Sequence, residues 1–99
     1  MTEYELHPLA EEEMNEAARF YGARLSGLGE DFLDEFERCV SQIVSYPESG
    51  QRCYEHFRRS LIARFPFSVI YELLPDGILV VAVAHQRRRP GYWRGRIVR

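Results

Sequence analysis

Lysine is missing from this sequence, and all thirteen of its basic residues are arginine. Arginine stays protonated and cannot act as a general base, yet each guanidinium offers a planar fork for phosphate or carboxylate. Cysteine is scarce: Cys39 and Cys53 are the only two. In a chain with no export signal they are expected to be reduced thiols that fill space. No Cys/His spacing suits zinc and no glycine-rich phosphate loop occurs, so neither a metal nor a cofactor is expected. No window approaches the uninterrupted apolar length of a membrane span. The opening residues, MTEYELHPLAEEEM, are acidic and lack the basic-then-apolar pattern of a signal peptide. A cytoplasmic location and no membrane partner are therefore expected.

What is present suffices for one modest core. The chain has 99 residues, 45% of them apolar, with no repeats and no low-complexity linker, and is read as a single domain over 1–99. The formal net charge of -2 hides a strong polarity. Residues 1–50 hold twelve acids and three arginines; residues 51–99 hold three acids and ten arginines. An acidic first half faces a basic second half.

Periodicity supplies the elements. Tyr4 and Leu6 fall on one side of a short strand over Glu3 to Leu6. Pro8 suits the first turn of a helix, and Ala10, Met14, Ala17, Tyr21 and Leu25 make one helical face. Glu11, Glu12 and Glu13 sit where the helix dipole favours negative charge. Ser26 to Gly29 breaks that helix. A second begins near Glu30 and Asp31, with a stripe of Phe32, Phe36, Val40 and Ile43, and ends by Pro47 and Gly50. The short link implies an antiparallel hairpin whose acidic side is read as a solvated outer face.

The period then changes to two. Phe65 to Leu74 alternates, Pro75-Asp76-Gly77 is a tight turn, and Ile78 to Ala84 is an apolar strand. His56 to Ile62 is a weaker strand. The resulting order, β-α-α-β-β-β, is an α+β fold: an antiparallel sheet packed on an N-terminal helical hairpin. The other face of the sheet is expected to be open and to carry arginines. The last strand runs directly into His85, Arg87, Arg88 and Arg89, then Pro90-Gly91, Tyr92, Trp93, Arg94 and Arg96. That run suits an anionic partner, either RNA or an acidic protein.

Four phrases in this order resemble the RelE/ParE superfamily of bacterial toxins from type II toxin–antitoxin pairs. They are HPLAEEEMNEAARFY, GLGEDFLDEFERCVSQIVSYPESG, RRSLIARFPFSVIYEL and VVAVAHQRRRPGYWRGR, and together they cover essentially the whole chain. The resemblance implies a small growth inhibitor neutralised by a cognate antitoxin protein encoded beside it. RelE-like members cut messenger RNA in the ribosomal A site; ParE-like members poison DNA gyrase. The wordings FPF-x-VIY and VAVAHxRRxPxYW place this chain nearer the ParE-like side. A RelE-like ribosome-dependent mRNA endonuclease and an inactive member that only binds antitoxin are the alternatives.

Each site residue has two readings. RNA cleavage needs a base for the 2′-hydroxyl, cations for the phosphorane and an acid for the leaving oxygen. If the chain is a nuclease, His85 and Tyr92 are its catalytic residues, with a carboxylate such as Glu48 or Glu55 as a further candidate. RelE-like nucleases often place lysines there, and this chain has none. The plainer reading makes His85 a strand-end residue bonded to a neighbouring loop, and His56 still more so. With the strand in unbroken register, His85 shares a face with Leu79, Val81 and Val83. Arg58, Arg59, Arg64, Arg87, Arg88, Arg89 and Arg94 are read as a clamp for target or antitoxin anions. Trp93 is a candidate in that surface, though a cap over the edge of the core is preferred for it. Tyr92 is open between the two roles.

Overall fold

A computed structural model describes residues 3–97. In chain order the elements are β1 (Glu3–Leu6), α1 (Pro8–Arg24), α2 (Leu28–Ser45), β2 (Gln51–Cys53), β3 (Phe57–Leu61), β4 (Phe67–Leu74) and β5 (Gly77–His85), then a turn of 3-10 helix over Arg94–Arg96. Pro8 does open α1, and the His7 imidazole caps it by accepting the Leu9 amide at 3.1 Å. The helix stops at Arg24, so Leu25 adopts extended backbone and is left 62% exposed, outside the predicted stripe. Gly27, at φ 87°, turns the chain into α2, which starts at Leu28, two residues before the first predicted acid. A Cβ at Gly29 would collide with the Ala18 carbonyl oxygen, so this glycine lets the two helices touch backbone to backbone.

The five strands lie in the order β1-β5-β4-β3-β2. The α+β order stands, with two differences from the sequence reading. First, the sheet is mixed: β1 runs parallel to β5, with Tyr4 opposite Ile78 and Leu6 opposite Val80. Parallel neighbours require a long connection, and the helical hairpin begins that connection. Second, β2 is an additional strand, paired antiparallel with β3. Three residues are too few to display a period, so β2 carried no signal. The three-residue turn between them holds Tyr54 and Glu55 in left-handed backbone, at φ 48° and 63°.

Between helices and sheet lies the main core. Phe32, Phe36, Ile43, Val69, Tyr71 and Val80 are essentially sealed, and Tyr21, Phe32, Phe65 and Phe67 pack ring on ring at 4.8–6.3 Å where paired. Buried Tyr71 donates its hydroxyl to the Pro47 carbonyl at 2.9 Å and accepts the Gly50 amide at 3.0 Å, fixing the link from α2 into β2. Cys39, buried, and Cys53, half-buried, are both free thiols, and burial pushes each above its ordinary value.

Strand β5 contains a bulge. Ile70 pairs with Ala82 but Tyr71 pairs with Val80, so Val81 is an extra residue. Ile78, Val80 and Val83 therefore belong to the helix-side core, while Leu79, Val81, Ala82 and Ala84 belong to the opposite face. The unbroken register placed His85 with Leu79 and Val81. The bulge instead carries it to the helix side, edge-on to Phe67 at 5.0 Å.

The opposite face is not open. A second cluster of Phe57, Ile70, Val81, Ala82 and Trp93 covers it, with Cys53, Leu79, Tyr92 and Ile97 at its margin. The tail after β5 folds back over the sheet because Val81, Ala82 and Phe57 would otherwise stand in water. Among the described residues no helix is long and apolar enough to cross a membrane.

Candidate functional site

The tail is the part of the molecule that gathers the chemistry. It leaves β5 through a turn in which the Gln86 amide bonds the Pro66 carbonyl at 2.9 Å and the Arg88 amide bonds the His85 carbonyl at 3.0 Å. The Arg87 amide donates to His85 Nδ1 at 3.0 Å. An Nδ1 that accepts places the proton of a neutral imidazole on Nε2, which then donates. Gly91, at φ 75°, lets the chain double back, and a side chain there would press on the Tyr54 hydroxyl at 3.0 Å. Trp93, 3% exposed, then drops onto Phe57 at 4.8 Å and Tyr54 at 5.5 Å.

One helix residue pins this tail. Glu13 of α1 takes a bidentate contact from Arg96, at 2.8 Å to Oε1 and 2.9 Å to Oε2, and accepts the Tyr92 hydroxyl and, at 3.0 Å, the Val83 amide. Arg96 also donates to the Val81 carbonyl at 3.0 Å. The two ion-pair side chains are only 12% and 14% exposed. Burial alone would raise the Glu13 carboxyl, but the hydrogen bonds from Arg96, Tyr92 and Val83 outweigh it and hold the group below its ordinary value. The same burial, with the carboxylate beside it, pushes the Tyr92 phenol far up. Sequence reasoning missed Glu13 and Arg96. The signal was there: Glu13 falls between Ala10 and Ala17 on the buried stripe of α1, where a charge requires a partner. Glu35 repeats the case on α2; it is buried and paired with Arg38 at 2.8 Å. The acidic hairpin is thus not wholly a solvated face.

The predicted clamp divides into separate groups. Arg58 is bound to the backbone, its Nη1 donating to the Glu48 and Gly50 carbonyls at 2.9 Å each. Arg64, in left-handed backbone at φ 71°, turns to the helix side and reaches Asp31 at 3.6 Å and Glu35 at 3.7 Å. Arg94 stacks on the Tyr54 ring at 4.6 Å. Arg87 is exposed at the turn, and His56 is exposed beside Glu55. Glu48 lies in a different hollow, at the Pro75–Gly77 end of the sheet.

Three arginines do converge. Arg59, Arg88 and Arg89 line a hollow of 220 Å³ between tail and sheet, together with Tyr54, Ser68 and His85. Arg59 reaches Gln51 at 3.4 Å, and Arg88 lies flat over the Tyr92 ring at 3.8 Å. On the other side of His85 and Arg88 a second hollow, of 510 Å³, opens between α1 and the sheet. It is walled by Ala17, Phe20, Tyr21 and Phe67. Phe20 is 51% exposed there. The site is therefore a pair of hollows, one cationic and one ring-lined, with a shared rim.

A helical hairpin against a five-stranded mixed sheet is a fold this chain shares with a solved chain described as "Chromosomal ParDE TA system from P. aeruginosa". The TM-score is 0.65 over 86% of this chain and 96% of that one, at 19% sequence identity, and the likeness is one of fold. The family model of the ParE toxin of type II toxin–antitoxin system, parDE, matches residues 4–90, and the chain belongs to that family. No curated protein matches its sequence.

Proposed function

We propose that this chain is a cytoplasmic growth inhibitor neutralised by a cognate antitoxin, and that it acts by binding DNA gyrase and not by cutting RNA. Membership of the ParE toxin family supports the first part. The commitment of the two proton-transfer candidates supports the second. His85 has its Nδ1 taken by the Arg87 amide, and Tyr92 donates its hydroxyl to Glu13, whose carboxylate is itself engaged by Arg96. An RNase needs one group that takes a proton and another that gives one, both facing the substrate. Here the phenol is bonded and raised, and the carboxylate is buried and paired. A binder needs neither, only a surface.

The experiment is a pair of assays on the purified chain: supercoiling by DNA gyrase, and primer extension on translating ribosomes. Inhibited supercoiling without ribosome-dependent cuts is expected. His85→Gln should change the inhibition only modestly, because no proton is moved. A nuclease would lose roughly 10²–10⁴-fold in rate on the same substitution. Codon-position cleavage that vanishes in His85→Gln would overturn the gyrase reading and make the chain a RelE-like endonuclease.

A further inference from the structure

The two hollows meet at His85 and Arg88, and their chemistry differs sharply. Arg59, Arg88 and Arg89 bring three like charges around one small volume, with no carboxylate among the residues that line it. Such an arrangement lowers its own repulsion by binding an oxyanion. The rings nearby are not free to stack a nucleobase. Tyr54 is covered by Arg94, Tyr92 by Arg88, and Trp93 is buried on Phe57. A guanidinium held flat on a ring still presents its N–H edge, so Arg88 is preset for an oxyanion and not for a base. The adjoining hollow has the opposite character. Phe20, Tyr21 and Phe67 wall it, and Glu13 and Glu16 stand at its margin. A nucleic acid backbone crossing from one hollow to the other would meet those carboxylates and gain little from Phe20, whose ring is half exposed with Arg24 against it at 4.3 Å.

We propose that the two hollows form one docking surface for a segment of a partner protein that carries an apolar side chain next to a carboxylate. The apolar group enters between Phe20 and Phe67. The carboxylate crosses the His85–Arg88 rim and is held by Arg59, Arg88 and Arg89. Charge complementarity selects this occupant over an uncharged or basic one. Naming the partner as the antitoxin rests on the function proposed above; the surface chemistry does not.

The test is an NMR titration of the isotope-labelled full chain with the capped tripeptide N-acetyl-Leu-Glu-Glu-amide at up to millimolar concentration. The Phe20 and Phe67 ring signals and the Arg59 and Arg89 side-chain signals should shift together, with one affinity. N-acetyl-Leu-Gln-Gln-amide should bind about tenfold more weakly, as expected for loss of a charge-assisted contact. The pair Arg59→Gln and Arg89→Gln should abolish that difference, and Phe20→Ala should weaken both peptides. All three positions are exposed, and an unchanged melting midpoint checks that the variants fold. Absence of shifts, equal affinity for the two peptides, or shifts confined to one hollow would overturn the proposal. So would a short DNA duplex that moves both sets of signals where the peptide moves neither. Growth inhibition reversed by the antitoxin, without peptide docking here, would remove this surface and leave the toxin–antitoxin reading intact.

Discussion

Glu13 and Arg96 tie the first helix to the end of the tail. Sitting in the second turn of α1, Glu13 holds a tail 79 and 83 residues away through Tyr92 and Arg96. Glu13→Gln leaves the Arg96 guanidinium enclosed without its counter-charge, and should cost about 2–3 kcal/mol. In a chain of this size that lowers the melting midpoint by roughly 10 °C or more. The pH dependence follows from the depressed carboxyl. A group with a lowered folded value stabilises the protein fully above its unfolded value, the ordinary 4.5, and loses that contribution as pH falls through the folded value. Melting curves recorded downward from pH 6 should therefore fall more steeply below about 4.5 in the parent chain than in Glu13→Gln. The arginines give a second contrast. Arg58→Glu should destabilise by about 1–3 kcal/mol through its two backbone carbonyls, whereas Arg59→Glu should leave the urea midpoint within experimental scatter. At this scale the sequence was partly legible. Trp93 as a core cap could be read from Pro90-Gly91 ahead of it. Arg58 and Arg59, neighbours within β3, fall on opposite faces as a period of two requires, but the turn of Arg64 toward Asp31 and Glu35 depends on a left-handed loop that leaves no residue-type signature.

Elements were legible where they were long and periodic. The stripe of α2, Phe32 to Ile43, and the alternation from Phe67 to Leu74 each repeat often enough to fix type and face. The bulge at Val81 and the strand β2 are set by pairing with distant partners, which no local period encodes. Both matter to the site. Without the bulge His85 would face the tail and not the ring-lined hollow, and without β2 there is no Tyr54 turn for Arg94 and Gly91 to pack on. The tail is itself an element of the fold. Trp93→Ala would open a cavity over Phe57 and Val81 and should cost about 3–5 kcal/mol, a large part of the stability of a protein this small. Urea unfolding measures it directly; a loss under 1 kcal/mol would mean that the tail rests on the sheet without stabilising it. Removing everything from Arg87 onward would bare the whole second core, so substitutions at exposed positions, and not truncation, are the proper probes of the site.

For the whole molecule, the charge polarity visible in the sequence persists only in part. Glu13 and Glu35 turn inward to meet arginines, and Arg59, Arg88 and Arg89 gather between the tail and the sheet. Expression without antitoxin should arrest bacterial growth, and co-expression should restore it; combined Arg59→Gln and Arg89→Gln should weaken the rescue. Colony counts after induction decide the matter, and normal growth despite abundant soluble protein would favour an inactive member that only binds its antitoxin. The parallel seam between β1 and β5 adds a point about timing. The strand that leaves the ribosome early, from Glu3, has its partner only when Gly77 to Val80 have been made. Closing so large a loop is slow compared with forming the helical hairpin. Through most of translation the nascent chain can therefore hold helices and growing strands but no closed sheet. The arginine hollow depends on residues beyond β5, and so does the rim it shares with the ring-lined hollow. A message broken before codon 77 yields a fragment with neither. The proposed docking surface is thus withheld from every copy that ends before the tail is made.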